Sequence, residues 1–332
     1  MKQHQRVTEF YSMVTSQHHL ITSIVDAAWV SVTSTGELPR LREFLTQPSK
    51  GVHYINGRLP PLFAAQGYEV KLASILVHQK PIVVPLKDYD ENVAADVSSN
   101  PELGDLNLVF LFLDSQKNVR LARSILYQAK TARVSNEEAI HPAHQKYLYD
   151  RAPGFRYLNG HLKDQTRRLP VAQGRRRGLH YLFVSESPTF SSPVPSHRPA
   201  YIKWSESFFR LLIDAEGVGL AAARPSGAGW SKINQDLVSL FENDSALKAH
   251  NLGELASWFN DFKDPNHWHA FAGEGSVGVN TLFVIVRDTE LPPRKPVQLP
   301  ITLAHSEPHQ AKPIKRRRAL DLDDDRDETV SR

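Results

Sequence analysis

The stretch Pro101–Lys130, PELGDLNLVFLFLDSQKNVRLARSILYQAK, decides the fold. Leu106–Leu113 is apolar apart from one residue, Asp114–Asn118 carries turn residues, and Ser124–Lys130 is apolar again until its last residues. Two short apolar runs separated by a polar turn predict two β-strands paired as an antiparallel hairpin. We expect the rest of the chain to be organised around this hairpin.

The pairing of the two strands predicts a polar cluster at the open end of the hairpin. A turn centred on Gln116 and Lys117 places Asp105 opposite Gln128. Lys130 lies two residues beyond Gln128, so both side chains point to the same face of the sheet. A carboxylate, an amide and an ammonium have no structural reason to converge there. Such a set is typical of a metal-dependent phosphodiesterase.

These residues resemble the core of the PD-(D/E)xK nuclease superfamily, in which an acid begins one strand and a (Glu or Gln)-x-Lys ends its neighbour. Gln128-Ala129-Lys130 resembles the Gln-x-Lys variant of Mrr-type restriction endonucleases. The sequence Glu-Leu-Gly-Asp before the first strand is also similar to uncharacterised bacterial proteins related to defence nucleases. The resemblance implies an α/β fold with a restriction-endonuclease-like mixed sheet flanked by helices, followed by an α+β C-terminal region.

The same resemblance implies the roles of the site residues. Asp105, Gln128 and Lys130 would be catalytic, and Asp105 would hold Mg²⁺ or Mn²⁺ with a second carboxylate. Glu102 lies three residues before Asp105, whereas Glu69 lies where a helix preceding the sheet would supply a further acid. Both remain candidate metal ligands. Gln128 in place of the commoner carboxylate removes one negative charge, which predicts weaker metal binding.

A basic segment, Lys163–Gly178, follows the hairpin and contains a single acid, Asp164. Gly174 and Gly178 flank an arginine triplet, so the segment is predicted to be a loop. Arginines on a loop beside a phosphodiesterase site would contact backbone phosphates without reading sequence. The alternative is a solubilising surface loop. The candidate nucleic-acid contacts are Arg167, Arg168, Arg175, Arg176 and Arg177.

Composition limits the other possibilities. The 332 residues include no Cys, which removes disulfides, thiol catalysis and Cys-bound zinc from consideration. No run approaches the ~20 apolar residues that span a bilayer, and the start of the chain is too polar for a secretory signal. We therefore expect a cytoplasmic protein without a membrane partner. The net charge of +4 is modest, but the clustering of Lys and Arg favours nucleic acid as a ligand.

The domain organisation is predicted in four parts. These are a helical N-terminal segment (1–50) without chemistry of its own, the nuclease-like core (51–186), an α+β region (187–310), and a disordered charged tail (311–332). The Ser/Pro-rich run Ser185–Pro199 reads as a linker or extended loop. Phe63–His78 has apolar residues near helical spacing, with a strand over Ser74–His78 as the alternative.

Three classes of function are consistent with these patterns. The first is an endonuclease acting on DNA, with RNA as the alternative substrate, in bacterial anti-phage defence or restriction. The second is an inactive nuclease fold that binds nucleic acid or serves as a scaffold in a defence complex, and the third is an interaction protein in which the polar cluster is coincidental. A partner protein and an oligomer are compatible with the first two classes.

Overall fold

A computed structural model describes the chain over residues 2–77, 79–86, 100–131, 143–160, 162–185, 187–191, 202–221, 227–239, 268–271 and 277–290. The helices are α1 (Lys2–Ser16), α2 (His18–Val30), α3 (Glu37–Thr46), α4 (Gly51–Asn56), α5 (Pro61–Ala64), α6 (Ala143–Asp150), α7 (Ala172–Gly178), α8 (Trp204–Leu212) and α9 (Trp230–Ser239). The strands are β1 (Tyr68–Leu76), β2 (Val83–Pro85), β3 (Leu106–Leu113), β4 (Val119–Thr131), β5 (Gly154–Tyr157), β6 (Thr166–Arg168), β7 (Leu179–Val184), β8 (Thr189–Ser191), β9 (Ile202–Lys203), β10 (Val218–Gly219), β11 (His269–Phe271) and β12 (Asn280–Asp288).

A mixed sheet flanked by helices forms the centre of the α/β fold. Its strand order is β11-β1-β12-β3-β4-β7-β8-β9, and β10 pairs with β4 beside this path. The pairs β1–β11, β12–β3 and β4–β7 are parallel, and the other pairs are antiparallel. A second, small sheet has the order β2-β5-β6. The predicted α/β class with a mixed sheet is confirmed.

The predicted hairpin is the centre of the large sheet. β3 pairs antiparallel with β4, from Leu106↔Tyr127 to Leu113↔Val119, with a register shift after Phe112. β4 begins earlier than the predicted Ser124, because its first part continues the pairing next to the turn. The pairing near the open end has the register that the turn position predicted.

Helices and the small sheet cover the two faces of the large sheet. On one face, Trp29, Phe44 and Trp204 from the helices share a buried cluster with Phe110 and Tyr127 from the hairpin. The other face carries a buried cluster that joins the hairpin and β7 to α6, the small sheet and α9; its members include Leu126, Tyr149, Phe155, Tyr181 and Trp230. Burial of this much apolar side-chain surface is the main source of stability that the sequence offers.

The segment Phe63–His78 differs from the predicted helix. It contains β1, which begins at Tyr68, well before the Ser74 of the alternative strand. β1 alternates apolar and charged residues over Tyr68–Leu72, which is a strand signal, and only its second half, Ala73–Leu76, is a mainly apolar run that periodicity cannot distinguish from a helix.

The boundary predicted at residue 186 does not separate two folding units. β12, from the C-terminal part of the chain, lies between β1 and β3 in the middle of the large sheet. β8 lies within the predicted linker Ser185–Pro199 and pairs with β7. The described residues all belong to one compact unit, Met1–Pro293, and the predicted tail 311–332 lies outside them. No helix in the described ranges has the length and apolarity to cross a membrane.

Candidate active site at the open end of the hairpin

The hairpin brings Asp105 and Gln128 into direct contact. The backbone N–H of Asp105 donates to the carbonyl of Tyr127 over 2.8 Å, which continues the ladder one residue past β3. The Gln128 side-chain Nε2 donates to Asp105 Oδ2, and the Ala129 N–H donates to the same oxygen over 2.7 Å. The predicted pairing of Asp105 with Gln128 is therefore confirmed.

Asp105 is a carboxylate held in the protein interior, with 1% of its surface exposed. Burial raises the pKa of Asp105, and the adjacent ammonium of Lys80 opposes this rise. Lys80 forms an ion pair with Asp105 Oδ1. The charged form of a buried carboxylate is expensive unless it is paired, so Lys80 is the main compensation for this charge.

Gly104 explains how the chain places Asp105 so deeply. A Cβ atom at this position would lie 2.8 Å from Leu126 Cδ1 and 3.0 Å from the hydroxyl of Tyr149. The same hydroxyl donates to the carbonyl of Leu103 over 3.0 Å. The glycine of the Glu-Leu-Gly-Asp sequence is therefore required by close packing directly before the carboxylate.

Lys80 connects two carboxylates and was not predicted from the sequence. Its Nζ lies 2.5 Å from Glu102 Oε2 and also pairs with Asp105. Burial alone would lower the pKa of Lys80, but the charges of Asp105 and Glu102 outweigh that effect and raise it. Asn159 fixes this segment, since its Nδ2 donates to the Lys80 carbonyl over 3.1 Å. Lys80 is far from Glu102 and Asp105 in sequence, so no local pattern indicated that it contacts them.

Lys130 lies on the same face of β4 as Gln128, as predicted, because two residues separate them. Its Nζ donates to Gln145 Oε1 of α6 over 2.6 Å. Burial lowers the pKa of Lys130, and the charges of Asp105 and Glu37 oppose the decrease. The ammonium therefore belongs to the same electrostatic cluster as Asp105.

Glu37 adds a carboxylate that the sequence analysis missed. It is the first residue of α3 and follows Gly36, whose φ of 84° is accessible mainly to glycine. Burial and then the charge of Asp105 raise the pKa of Glu37, and the charges of Lys130 and Lys80 lower it. The N-terminal segment was predicted to carry no chemistry, but its third helix presents an acid to the site. A glycine followed by an acid at a helix start was the available signal.

Glu69 is not brought to the site. It lies on β1 opposite Arg287 of β12, with which it forms an ion pair. Arg287 is in turn level with Leu113, at the end of β3 farthest from Asp105. Eight residues of extended chain separate Leu113 from Asp105, or roughly 25 Å. Of the two candidate second ligands, Glu102 is the one that the structure places beside Asp105.

The five candidate arginines do not lie on one loop, which corrects the prediction. Arg167 and Arg168 are on β6, and Arg175, Arg176 and Arg177 are on the short helix α7. Two of the five arginines also have structural partners in the interior.

Arg167 and Arg175 serve the fold. Arg167 is buried and forms an ion pair with Asp236 of α9. Arg175 is buried and donates to backbone carbonyls, including that of Pro170 over 2.8 Å. Neither guanidinium is available to contact a phosphate without loss of these interactions.

The other three arginines are more accessible. Arg177 Nη2 lies 3.0 Å from Asp214 Oδ1, in a partly exposed ion pair. Arg168 and Arg176 are exposed, and neither forms a side-chain ion pair with another described residue. The candidate phosphate contacts are thus reduced to Arg168 and Arg176, with Arg177 as a paired neighbour.

The donor atoms at the site are oxygens of the kind that bind hard cations. In the ranges that the structure describes, no group of three or more His, Cys, Asp and Glu side chains is arranged as a metal site. The amide oxygen of a glutamine can also bind a cation. Gln128 Oε1 is buried and has no hydrogen-bond partner among the described residues. Asp105, Glu102 and Gln128 thus supply two carboxylates and one amide oxygen, and the ammonium of Lys80 lies between the two carboxylates.

Comparisons of the chain with protein-family models, with curated proteins and with solved structures gave no significant match.

Proposed function

We propose that this protein is a metal-dependent endonuclease with a restriction-endonuclease-like fold of the PD-(D/E)xK type, which hydrolyses phosphodiester bonds in DNA. The observation that carries the proposal is the contact between Asp105 and Gln128, with Lys130 on the same face of β4. A buried acid, an amide and a half-buried ammonium at one end of a hairpin have no evident packing role. Perturbed titratable groups of this kind cluster at functional sites.

The residues fit a divalent cation such as Mg²⁺ or Mn²⁺. Asp105 and Glu102 would hold it, with the unpartnered Oε1 of Gln128 as a neutral ligand. A bound cation would polarise the scissile phosphate and lower the pKa of an attacking water. Lys80 would have to release one or both carboxylates for such binding.

Lys130 has a separate role in this proposal. Its ammonium, positioned by Gln145, would orient the attacking water or compensate the charge that develops on the phosphate. Burial lowers the pKa of Lys130, so its proton is held less firmly than that of an exposed lysine. A preorganised cation in a partly dry site contributes more than one in water.

The substrate and the biological setting are proposed from the exposed arginines and from the sequence resemblance. Arg168 and Arg176 are exposed and suit contact with phosphates of either DNA or RNA. A role in bacterial anti-phage defence or restriction, with a partner protein and a cytoplasmic location, is supported by the sequence resemblance alone.

The test is cleavage of DNA by the purified full chain with Mg²⁺ or Mn²⁺. We expect the wild type to cut and Lys130→Ala to lose activity by at least about a hundredfold, because a preorganised charge is removed. Lys146→Ala is the matched control, since Lys146 is an exposed lysine on α6 next to Gln145. Equal cleavage by Lys130→Ala and wild type would contradict the proposal.

A second candidate is an inactive nuclease fold that binds nucleic acid. The specific observation in its favour is Lys80, whose ammonium lies between Asp105 and Glu102 where a metal would otherwise compensate the carboxylates. This candidate predicts tight DNA binding that is the same in Mg²⁺ and in a chelator, together with no cleavage under either condition.

A further inference from the structure

A cavity of about 200 Å³ opens next to the candidate site. Lys80, whose ammonium pairs with Asp105 and Glu102, is one of its lining residues. Asn280 is another, and its Nδ2 donates to the Asp105 carbonyl over 3.2 Å. Two residues that contact Asp105 therefore line the cavity, and a ligand there would lie next to Lys80 and Asn280.

The remaining lining is mostly apolar and comes from three elements and from Val77, which directly follows β1. Leu38 and Arg42 come from α3, Leu76 from the end of β1, and Phe271 from the end of β11. Two of these side chains are unusual because they are large, apolar and exposed, Leu38 by 42% and Phe271 by 46%. A single exposed apolar side chain is ordinary, but two that line one cavity beside a polar cluster indicate a ligand surface.

Arg42 supplies a positive charge at the same place. Its Cζ lies 5.7 Å from the centre of the Phe271 ring, within the range of a cation–π contact. The residue is exposed and forms no ion pair with another described side chain. The rim therefore combines an aromatic face and a guanidinium plane, and Lys80 connects it to the carboxylates of Asp105 and Glu102.

We propose that this cavity holds one unpaired nucleobase of the substrate, with the phosphate of the same nucleotide beside the exposed Arg42. The inference rests on the proposed function and names its substrate class, which is single-stranded or locally unpaired nucleic acid. A ring stacked on Phe271 beside a guanidinium is the usual way in which proteins hold an unstacked base. The cavity is smaller than the ~300–1,000 Å³ that suit drug-sized ligands, in keeping with one ring system.

An intact duplex does not satisfy this geometry. The faces of its bases are covered by their neighbours, and a base must leave the stack before it can contact Phe271. The charge of the rim fits the same occupant, because Arg42 is exposed there and suits contact with the phosphates of a nucleic acid, whereas the charge of Lys80 is compensated by Asp105 and Glu102.

The experiment measures binding by fluorescence anisotropy, with the full chain in EDTA so that cleavage does not interfere. The labelled probes are a short oligothymidylate, an oligomer of the same length with abasic sugars, and the corresponding duplex. The first two carry the same phosphates and differ only in their bases. We expect the oligothymidylate to bind roughly tenfold more tightly than the abasic oligomer, the amount that one stacked base contributes.

Substitutions at Phe271 test the ring itself. Phe271→Ala and Phe271→Leu should lose most of the preference for the oligothymidylate, whereas Phe271→Trp should keep it. Leu20→Ala is the matched control, because Leu20 on α2 is a large apolar side chain of similar exposure (49%) that does not line the cavity. The leucine variant retains apolar volume, so its loss of preference identifies stacking rather than a folding defect.

The outcomes separate this inference from the proposed function. Equal binding of the thymidylate and abasic oligomers, or a preference that Phe271→Leu retains, overturns the inference even if the protein cuts DNA. A preference that depends on Phe271 supports it even if no cleavage with Mg²⁺ is found. In that case the cavity is a binding site and the hydrolytic proposal alone fails.

Discussion

At the scale of single residues, Lys80 determines how the negative charges of the site are compensated. It is the ammonium that pairs with the buried Asp105, and it also binds Glu102. Removal of one partner from a buried ion pair is costly because the other charge remains without compensation. The same ammonium occupies the place that a divalent cation would need, so Lys80 competes with a metal for the two carboxylates.

This competition gives a prediction for Lys80→Met. At neutral pH we expect the variant to be less stable by about 3–5 kcal/mol, since the buried Asp105 loses the ammonium that compensates its charge. Addition of Mg²⁺ should raise the unfolding midpoint of the variant more than that of the wild type, because a ligand that binds only the folded state stabilises it. Urea unfolding with and without Mg²⁺ measures both effects.

The double variant Lys80→Met with Asp105→Asn is the control. It removes the charge together with its partner, so much of the lost stability should return. A Lys80→Met protein as stable as the wild type, with no response to Mg²⁺, would contradict the role assigned to Lys80.

The residue scale also shows which parts of the site were predictable. Asp105, Gln128 and Lys130 lie in one hairpin, so the turn position alone fixes their register and their common face. Lys80 follows β1 in the chain and Glu37 begins α3, so both come to the site from segments far from the hairpin in sequence. Such long-range contacts leave no periodic signal in the sequence. Glu69 was a candidate because its segment was predicted as a helix, and in a strand it lies at the other end of the sheet.

At the scale of elements, α6 is the helix that positions Lys130 through Gln145. Its last residue, Asp150, is an acid at a helix C-terminus, where the helix dipole disfavours negative charge. Burial raises the pKa of Asp150 to about 6, and its Oδ1 has no hydrogen-bond partner within the described ranges. The charged form of Asp150 therefore weakens the end of α6.

We predict that Asp150→Asn stabilises the protein at neutral pH. The pKa of Asp150 is about 6 in the folded protein, above its ordinary value of 3.8, so folding favours the protonated form between these two values. Its contribution to stability is complete below pH 3.8 and is lost as the pH rises through about 6. The variant should thus gain about 1–2 kcal/mol near pH 7.5, after allowance for solvent screening, and almost nothing near pH 3.5.

Thermal unfolding of both proteins across this pH range measures the difference. A gain that is constant with pH would show that the carboxylate charge is not the cause.

Elements also explain why the helix prediction at Phe63–His78 was wrong. The alternation of apolar and charged residues over Tyr68–Leu72 indicates a strand, but the mainly apolar run that follows it to Leu76 has spacings that a helix shares, and the prediction followed that run. The arginine segment was wrong for a related reason. Arg167 is buried in an ion pair, and Arg175 is buried and donates to backbone carbonyls. A prediction from composition alone assumes that every arginine carries its charge at the surface.

At the scale of the whole molecule, the position of β12 determines how the site can be built. The strand comes from near the end of the described chain and lies between β1 and β3, where it pairs with both. Asn280 at its start contacts the carbonyl of Asp105, so the C-terminal part closes the site that the hairpin begins. The predicted separation of a core from a C-terminal region followed the Ser/Pro-rich run, but composition cannot reveal which strands pair across it.

The overall account depends on the charge of Asp105, and one measurement tests it most directly. Single-turnover cleavage of labelled DNA is compared between the wild type and Asp105→Asn over a Mg²⁺ titration, with EDTA as the zero point. The account predicts cleavage by the wild type that requires Mg²⁺ and falls by at least about a hundredfold in Asp105→Asn. Equal rates for the two proteins, or wild-type cleavage that persists in EDTA, would contradict it.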